Sequence, residues 1–139
     1  MLQFSPYLSF DGNCAQAMLF YERTLGGKLE ASTKYTDTPD KGQVPSGSDD
    51  RIMHARLVLP GGAVLMAGDS PAGQPYSGMS GISLTLTYPT AAEADVIFKA
   101  LAVGGKVSMP LQQSFWAEVF GMVVDRFGTP WIVNGAMKL

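Results

Sequence analysis

Phe20 to Lys28 reads FYERTLGGK, and Phe98 to Lys106, 78 residues further on, reads FKALAVGGK. Each places a phenylalanine six residues before a Gly-Gly-Lys, and self-similarity at a fixed offset predicts a repeated structural unit. Both segments follow a helix-capping pattern, Asn13 with Gln16 and Thr90 with Glu93. Ala17, Met18, Tyr21 and Leu25 recur at three- and four-residue spacing. Ala94, Ile97 and Leu101 do the same, with Phe98 at the margin of the stripe. Each unit therefore contains one amphipathic helix. Gly26 and Gly104 stand where the chain must leave that helix through a left-handed residue, which costs least without a Cβ.

Working outward, Tyr7 to Phe10 precedes the first helix, and Ile82 to Thr87 (ISLTLT) precedes the second with clean alternation. Strands are expected after the first helix at Lys28 to Tyr35, Ile52 to Leu59 and Ala63 to Ala67, the last two joined by a turn through Pro60, Gly61 and Gly62. After the second helix they are expected at Val107 to Leu111, Phe115 to Val124 and Trp131 to Val133. The order strand, helix, three strands thus occurs twice. This predicts an α+β fold of two tandem βαβββ modules, residues 1–70 and 80–139, forming one eight-stranded, cleft-bearing domain over 1–139. Asp37 to Asp50 and Ser70 to Ser80 read as loops that could cover a pocket.

Composition agrees with many short strands: 16 glycines and 9 prolines in 139 residues, with only 16% charged. A net charge of −2 without a basic tract leaves nucleic-acid binding unsupported. The chain shows neither a signal-peptide start nor a long apolar span, so a cytoplasmic protein that does not engage membranes is expected. The single cysteine, Cys14, cannot form an intrachain disulfide, and the single histidine, His54, rules out a site needing two imidazoles from one chain.

The segments FDGNCAQAMLFY (Phe10 to Tyr21), HARLVLPGGAVLMAGD (His54 to Asp69) and QSFWAEVFGMVVDRFGTPWIVN (Gln113 to Asn134), together with the repeat, resemble the PhnB-like branch of the vicinal oxygen chelate superfamily. The resemblance covers nearly the whole chain. It implies a metal held by His, Gln or Glu on the first and last strands of each module. Carried onto this sequence, those positions fall near Ser5 or Pro6, at Met66, near Ser83 and at Ile132. Thioether, alkyl and unactivated hydroxyl groups do not replace imidazole and carboxylate around a divalent ion, so no metal site and no cofactor are expected. Some members of this branch bear a demethylubiquinone methyltransferase label. Here, however, the paired glycines follow helices, and no glycine-rich strand-to-helix turn suits S-adenosylmethionine.

Alternation along Ile52 to Leu59 puts Met53, Ala55, Leu57 and Leu59 toward the helices and Ile52, His54, Arg56 and Val58 on the opposite face. His54 is a candidate proton donor or acceptor. Along Phe115 to Val124, Trp116, Glu118 and Phe120 share one face; burial would raise the Glu118 pKa and suit it to act as a base beside a Trp116 wall. His54 and Glu118 are thus the candidate catalytic residues. Trp116, Phe120, Met66, Arg56, Asp69 and Tyr35 are the candidate ligand contacts, while Trp131 reads as core. Cys14, at a helix start, has a reactive reading through the helix dipole and a structural one as a small residue facing the sheet.

The expected function is binding of a small organic ligand in a largely apolar cleft without the usual metal. One alternative is a lyase, isomerase or transferase using a divalent metal held by relocated ligands such as His54 and Glu118. Another is an antibiotic-sequestering protein. Open sheet edges favour a homodimer.

Overall fold

The structure, a computed structural model, describes residues 1–37 and 45–139, so part of the expected Asp37 to Asp50 loop lies outside the described residues. The chain divides into two compact units, Met1–Gly78 and Met79–Leu139. Each carries one βαβββ module, and the eight strands of the described residues are shared between two four-stranded sheets.

In the first unit the elements run β1 (Tyr7–Phe10), α1 (Cys14–Leu25), β2 (Lys28–Lys34), β3 (Ile52–Val58) and β4 (Val64–Asp69), with a 3-10 turn at Tyr35–Asp37. The sheet order is β1-β4-β3-β2, with β1 parallel to β4 and the other pairs antiparallel. The apolar stripe read from the sequence is the buried side of α1: Ala17, Met18, Tyr21 and Leu25 are all buried, as are Leu8, Phe10, Ala55, Leu57, Leu65 and Ala67 on the strands. Burying each of the Met, Leu and Phe side chains among these contributes about 1.5–3 kcal/mol.

The second unit repeats the plan with β5 (Leu84–Tyr88), α2 (Ala91–Ala102), β6 (Lys106–Gln112), β7 (Ala117–Val124) and β8 (Pro130–Met137), in the order β5-β8-β7-β6. Ala94, Phe98 and Leu101 form the buried stripe of α2, whereas Ile97 is only half-buried. Gly27 and Gly105 are equivalent in a physical sense. A Cβ on Gly27 would meet the Val58 carbonyl oxygen at 2.7 Å, and one on Gly105 the Val124 carbonyl oxygen at 2.3 Å. Lys28 and Lys106 pair with those same two valines. The helices themselves begin at Cys14 and Ala91, one residue out of step with the glycines, because α2 spends an extra residue, Val103, before its left-handed Gly104. Counted from the helix starts, Phe98 corresponds to Tyr21 rather than to Phe20.

Two local expectations change. Thr90 caps α2 as predicted, its Oγ1 accepting the Glu93 N–H at 3.1 Å, but Asn13 makes no side-chain cap on α1. In β3 the alternation holds from His54 to Val58 and then breaks, since a register shift between Thr33 and Lys34 puts Ile52 in the core and leaves Met53 37% exposed. A bulge adds one residue and exchanges the faces beyond it. Among the described residues no helix is long and apolar enough to cross a membrane.

Candidate functional site

Each sheet has one face against its helix and one without, and the candidate residues divide between the two units: His54, Arg56, Met66, Asp69 and Tyr35 belong to the first, Trp116, Glu118 and Phe120 to the second.

On the helix-free face of the first sheet, Tyr7, Met66 and Arg56 form one cross-strand row. The Tyr7 ring stacks on the His54 ring at 5.8 Å with 28° between planes, and its hydroxyl donates to the Met53 carbonyl at 3.0 Å. This path crosses Gly68, where a Cβ would lie 2.6 Å from that hydroxyl, so the glycine clears the way for the phenol. Desolvation, followed by the nearby Cys14 and Tyr35, raises the Tyr7 pKa. Arg56 is engaged by Glu30 in an exposed ion pair.

Asp69, a candidate ligand contact in the sequence, is buried. It is 5% exposed, and its carboxylate accepts three backbone N–H groups: Gly12 at 2.8 Å and Cys14 at 3.0 Å on Oδ1, and Ile52 at 2.8 Å on Oδ2. It caps α1 from the end of β4 and ties down the start of β3. The Tyr35 hydroxyl donates to the Asp69 carbonyl at 2.8 Å, and burial raises the Tyr35 pKa. Cys14, fully buried beside this carboxylate, has its pKa pushed up to about 12 by desolvation and then by Asp69. The helix dipole does not prevail, and the reactive reading of Cys14 falls.

The helix-free face of the second sheet is aromatic. Phe115 and Trp116 meet edge to face at 4.9 Å, and Trp116 meets Phe120 at 4.8 Å. Trp116 lies in the bend just before β7, and hydrogen bonds pin that bend. Ala117 N donates to Ser114 Oγ at 3.1 Å, Lys138 N to the Trp116 carbonyl at 2.7 Å, and Lys138 Nζ to the Ser114 carbonyl at 3.1 Å. Phe115 remains 77% exposed while Trp116 is half-buried. The Trp116 indole N–H donates to Asn134 Oδ1 at 3.2 Å, and Asn134 pairs with Phe120 across β7 and β8. Glu118 is exposed rather than desolvated, and no hydrogen bond reaches it among the described residues. Opposite it in β8, Ala136 is held at φ +55°, a conformation that costs a non-glycine residue about 1–2 kcal/mol.

Sequence reasoning did not single out Tyr7, Ser114, Lys138 or Asn134. The available signal was Asn134 itself, because asparagine is depleted in strands. Trp131 is core as expected, its indole N–H donating to the buried Asp125 carboxylate at 2.8 Å.

The positions at which the resemblance implies a metal carry side chains ill suited to a divalent ion. Met66 pairs with Tyr7 and Ile132 with Thr85, which brings a thioether, a phenol, an alkyl chain and a hydroxyl to those rows. Among the described residues no three His, Cys, Asp or Glu side chains gather as ligands.

Residues 2–134 match the family model described as 3-demethylubiquinone-9 3-methyltransferase. Protein YjdN of Escherichia coli is 38% identical over 138 residues, covering 94% of this chain and 92% of that protein. The crystal structure of protein PA1353 from Pseudomonas aeruginosa is 48% identical with a TM-score of 0.89, over 96% of this chain and 97% of that one. The PhnB protein of Bacillus cereus is 25% identical with a TM-score of 0.78, over 96% and 98%. A glyoxylase/bleomycin resistance protein/dioxygenase domain from Frankia shares the fold at 15% identity and a TM-score of 0.64, over 96% and 94%. The chain belongs to the family described as 3-demethylubiquinone-9 3-methyltransferase, and it is similar to the PhnB protein and shares the fold of the glyoxylase/bleomycin resistance protein/dioxygenase domain.

Proposed function

We propose that this chain binds a flat, aromatic small molecule against Phe115, Trp116 and Phe120, without the metal typical of its superfamily. The observation that carries the reading is the braced bend that holds the exposed Phe115 ring beside the half-buried Trp116. Large aromatics kept at a surface by dedicated hydrogen bonds provide stacking area at little further cost in conformational entropy. The donor chemistry at Met66 and Ile132 supports the metal-free part. Methyl transfer has less support. The turns that lead into the helices, Asp11 to Asn13 and Pro89 to Thr90, are not glycine-rich, and Glu118 lacks the burial that would make it a base.

Calorimetric titration of the wild-type protein and Trp116→Ala with fluorene-2-carboxylate tests the proposal. The expected result is saturable binding by the wild type, weakened about tenfold or more in the variant, as loss of an aromatic contact predicts. Absence of binding, or equal affinity in both proteins, would overturn it. Formation of a methylated product from a short-chain demethylubiquinol and S-adenosylmethionine would replace binding with catalysis.

A further inference from the structure

Asn134 sits among aromatic rings with its amide in a fixed orientation. The residue is 7% exposed, on the helix-free face of β8 beside Phe120. An indole N–H can only donate, so the Trp116 bond at 3.2 Å requires the Asn134 oxygen on that side and turns Nδ2 away from it. Nδ2 has no hydrogen-bond partner among the described residues, yet no side-chain nitrogen or oxygen there is both sealed from solvent and unpaired. The amide N–H2 is therefore an oriented donor, unpaired among the described residues, that keeps some contact with solvent beside the Trp116 and Phe120 rings. A donor in such surroundings gains most from an acceptor that replaces water, and loses hydration when an apolar ring covers it.

We propose that Asn134 selects the ligand. The molecule that stacks on Trp116 bears a carbonyl-type acceptor oxygen on its ring system, which the Asn134 amide N–H2 recognises. This inference rests on the aromatic face being a binding face. It adds a requirement that stacking alone does not impose, and it casts Trp116 as both the stacking wall and the group that orients the amide.

The test uses two planar probes that differ at one position, 9-oxofluorene-2-carboxylate with a ring carbonyl and fluorene-2-carboxylate without it, titrated calorimetrically at pH 8. Wild-type protein should favour the ketone by about three- to tenfold, the range of one neutral hydrogen bond. Asn134→Asp retains the acceptor for the Trp116 N–H and removes the donor, so the preference should fall to parity or reverse. Asn134→Leu should also abolish the preference, and a near-UV circular dichroism spectrum shows whether Trp116 keeps its environment. Equal affinity of the wild type for both probes, or an unchanged preference in both variants, overturns the role of Asn134 and leaves the aromatic face standing. Failure of the wild type to bind either probe overturns the face and the inference together.

Discussion

Asp69 Oδ1 lies 3.0 Å from the Cys14 backbone nitrogen, so the residue that caps the first helix is 55 positions away in the chain. The same carboxylate holds Gly12 and Ile52, which makes one buried side chain the joint between a strand end, a helix start and a neighbouring strand.

Asp69→Ala should therefore destabilise the protein by about 3–5 kcal/mol, because two buried N–H groups, those of Cys14 and Ile52, and the part-buried N–H of Gly12 lose an anionic acceptor. Asn13→Ala, at the position the sequence marks as the cap, should cost under about 0.5 kcal/mol. Urea unfolding of both variants measures the contrast, and a larger loss in Asn13→Ala would refute it.

The Cys14 thiol should be inert in the native protein. Its folded pKa of about 12 stands above the ordinary 9.0, so the folded state holds the proton more tightly than the unfolded one. The stabilisation linked to that proton is complete below about pH 9 and is lost as pH rises toward 12. Thiol-reagent kinetics at pH 8 should follow global unfolding. Alkaline unfolding of Cys14→Ala should have a shallower pH slope than that of the wild type over this window, the raised tyrosines supplying what remains.

Ala136→Gly should raise stability by about 1 kcal/mol, since glycine adopts φ +55° without the Cβ clash that alanine bears, less its greater unfolded-state entropy. Thermal denaturation reads the change. A loss of stability would show that the alanine methyl contributes more by packing than its backbone costs.

Protein purified without added metal should contain no stoichiometric transition metal, and a chelator should leave its melting temperature unchanged. Elemental analysis decides the matter. About one zinc, nickel, iron or manganese per chain, lost on His54→Ala or Glu118→Gln, would establish the relocated-ligand alternative.

The parts of this fold that local chemistry controls were legible in the sequence. The α1 stripe, the paired glycines and the Thr90 cap all follow from spacing and from residues within one helical turn. What escaped depends on distant partners. Asn13 yields its capping role to Asp69, and the Thr33 to Lys34 bulge exchanges Ile52 with Met53. Strands β4 and β8 run on through Gly68-Asp69 and Asn134-Gly135, residues poor in strand propensity that are held by pairing. The same division applies to the candidate site. Alternation gave the aromatic face, but not that Glu118 is solvated or that Asn134 is the polar group fixed beside Trp116.

Gly68 and Asn134 occupy matching places in the two modules, two residues beyond the matched Met66 and Ile132 in the strands that pair with β1 and β5. In the first module the absent side chain leaves room that the Tyr7 phenol fills, closing the spot with the protein's own ring; in the second an amide stands there and Thr85 replaces the phenol. The repeated frame thus occurs twice, once filled by the chain's own phenol and once carrying an amide in its place. Asn134→Gly with Thr85→Tyr would give the second module the same pair of residues that the first uses to seat its phenol.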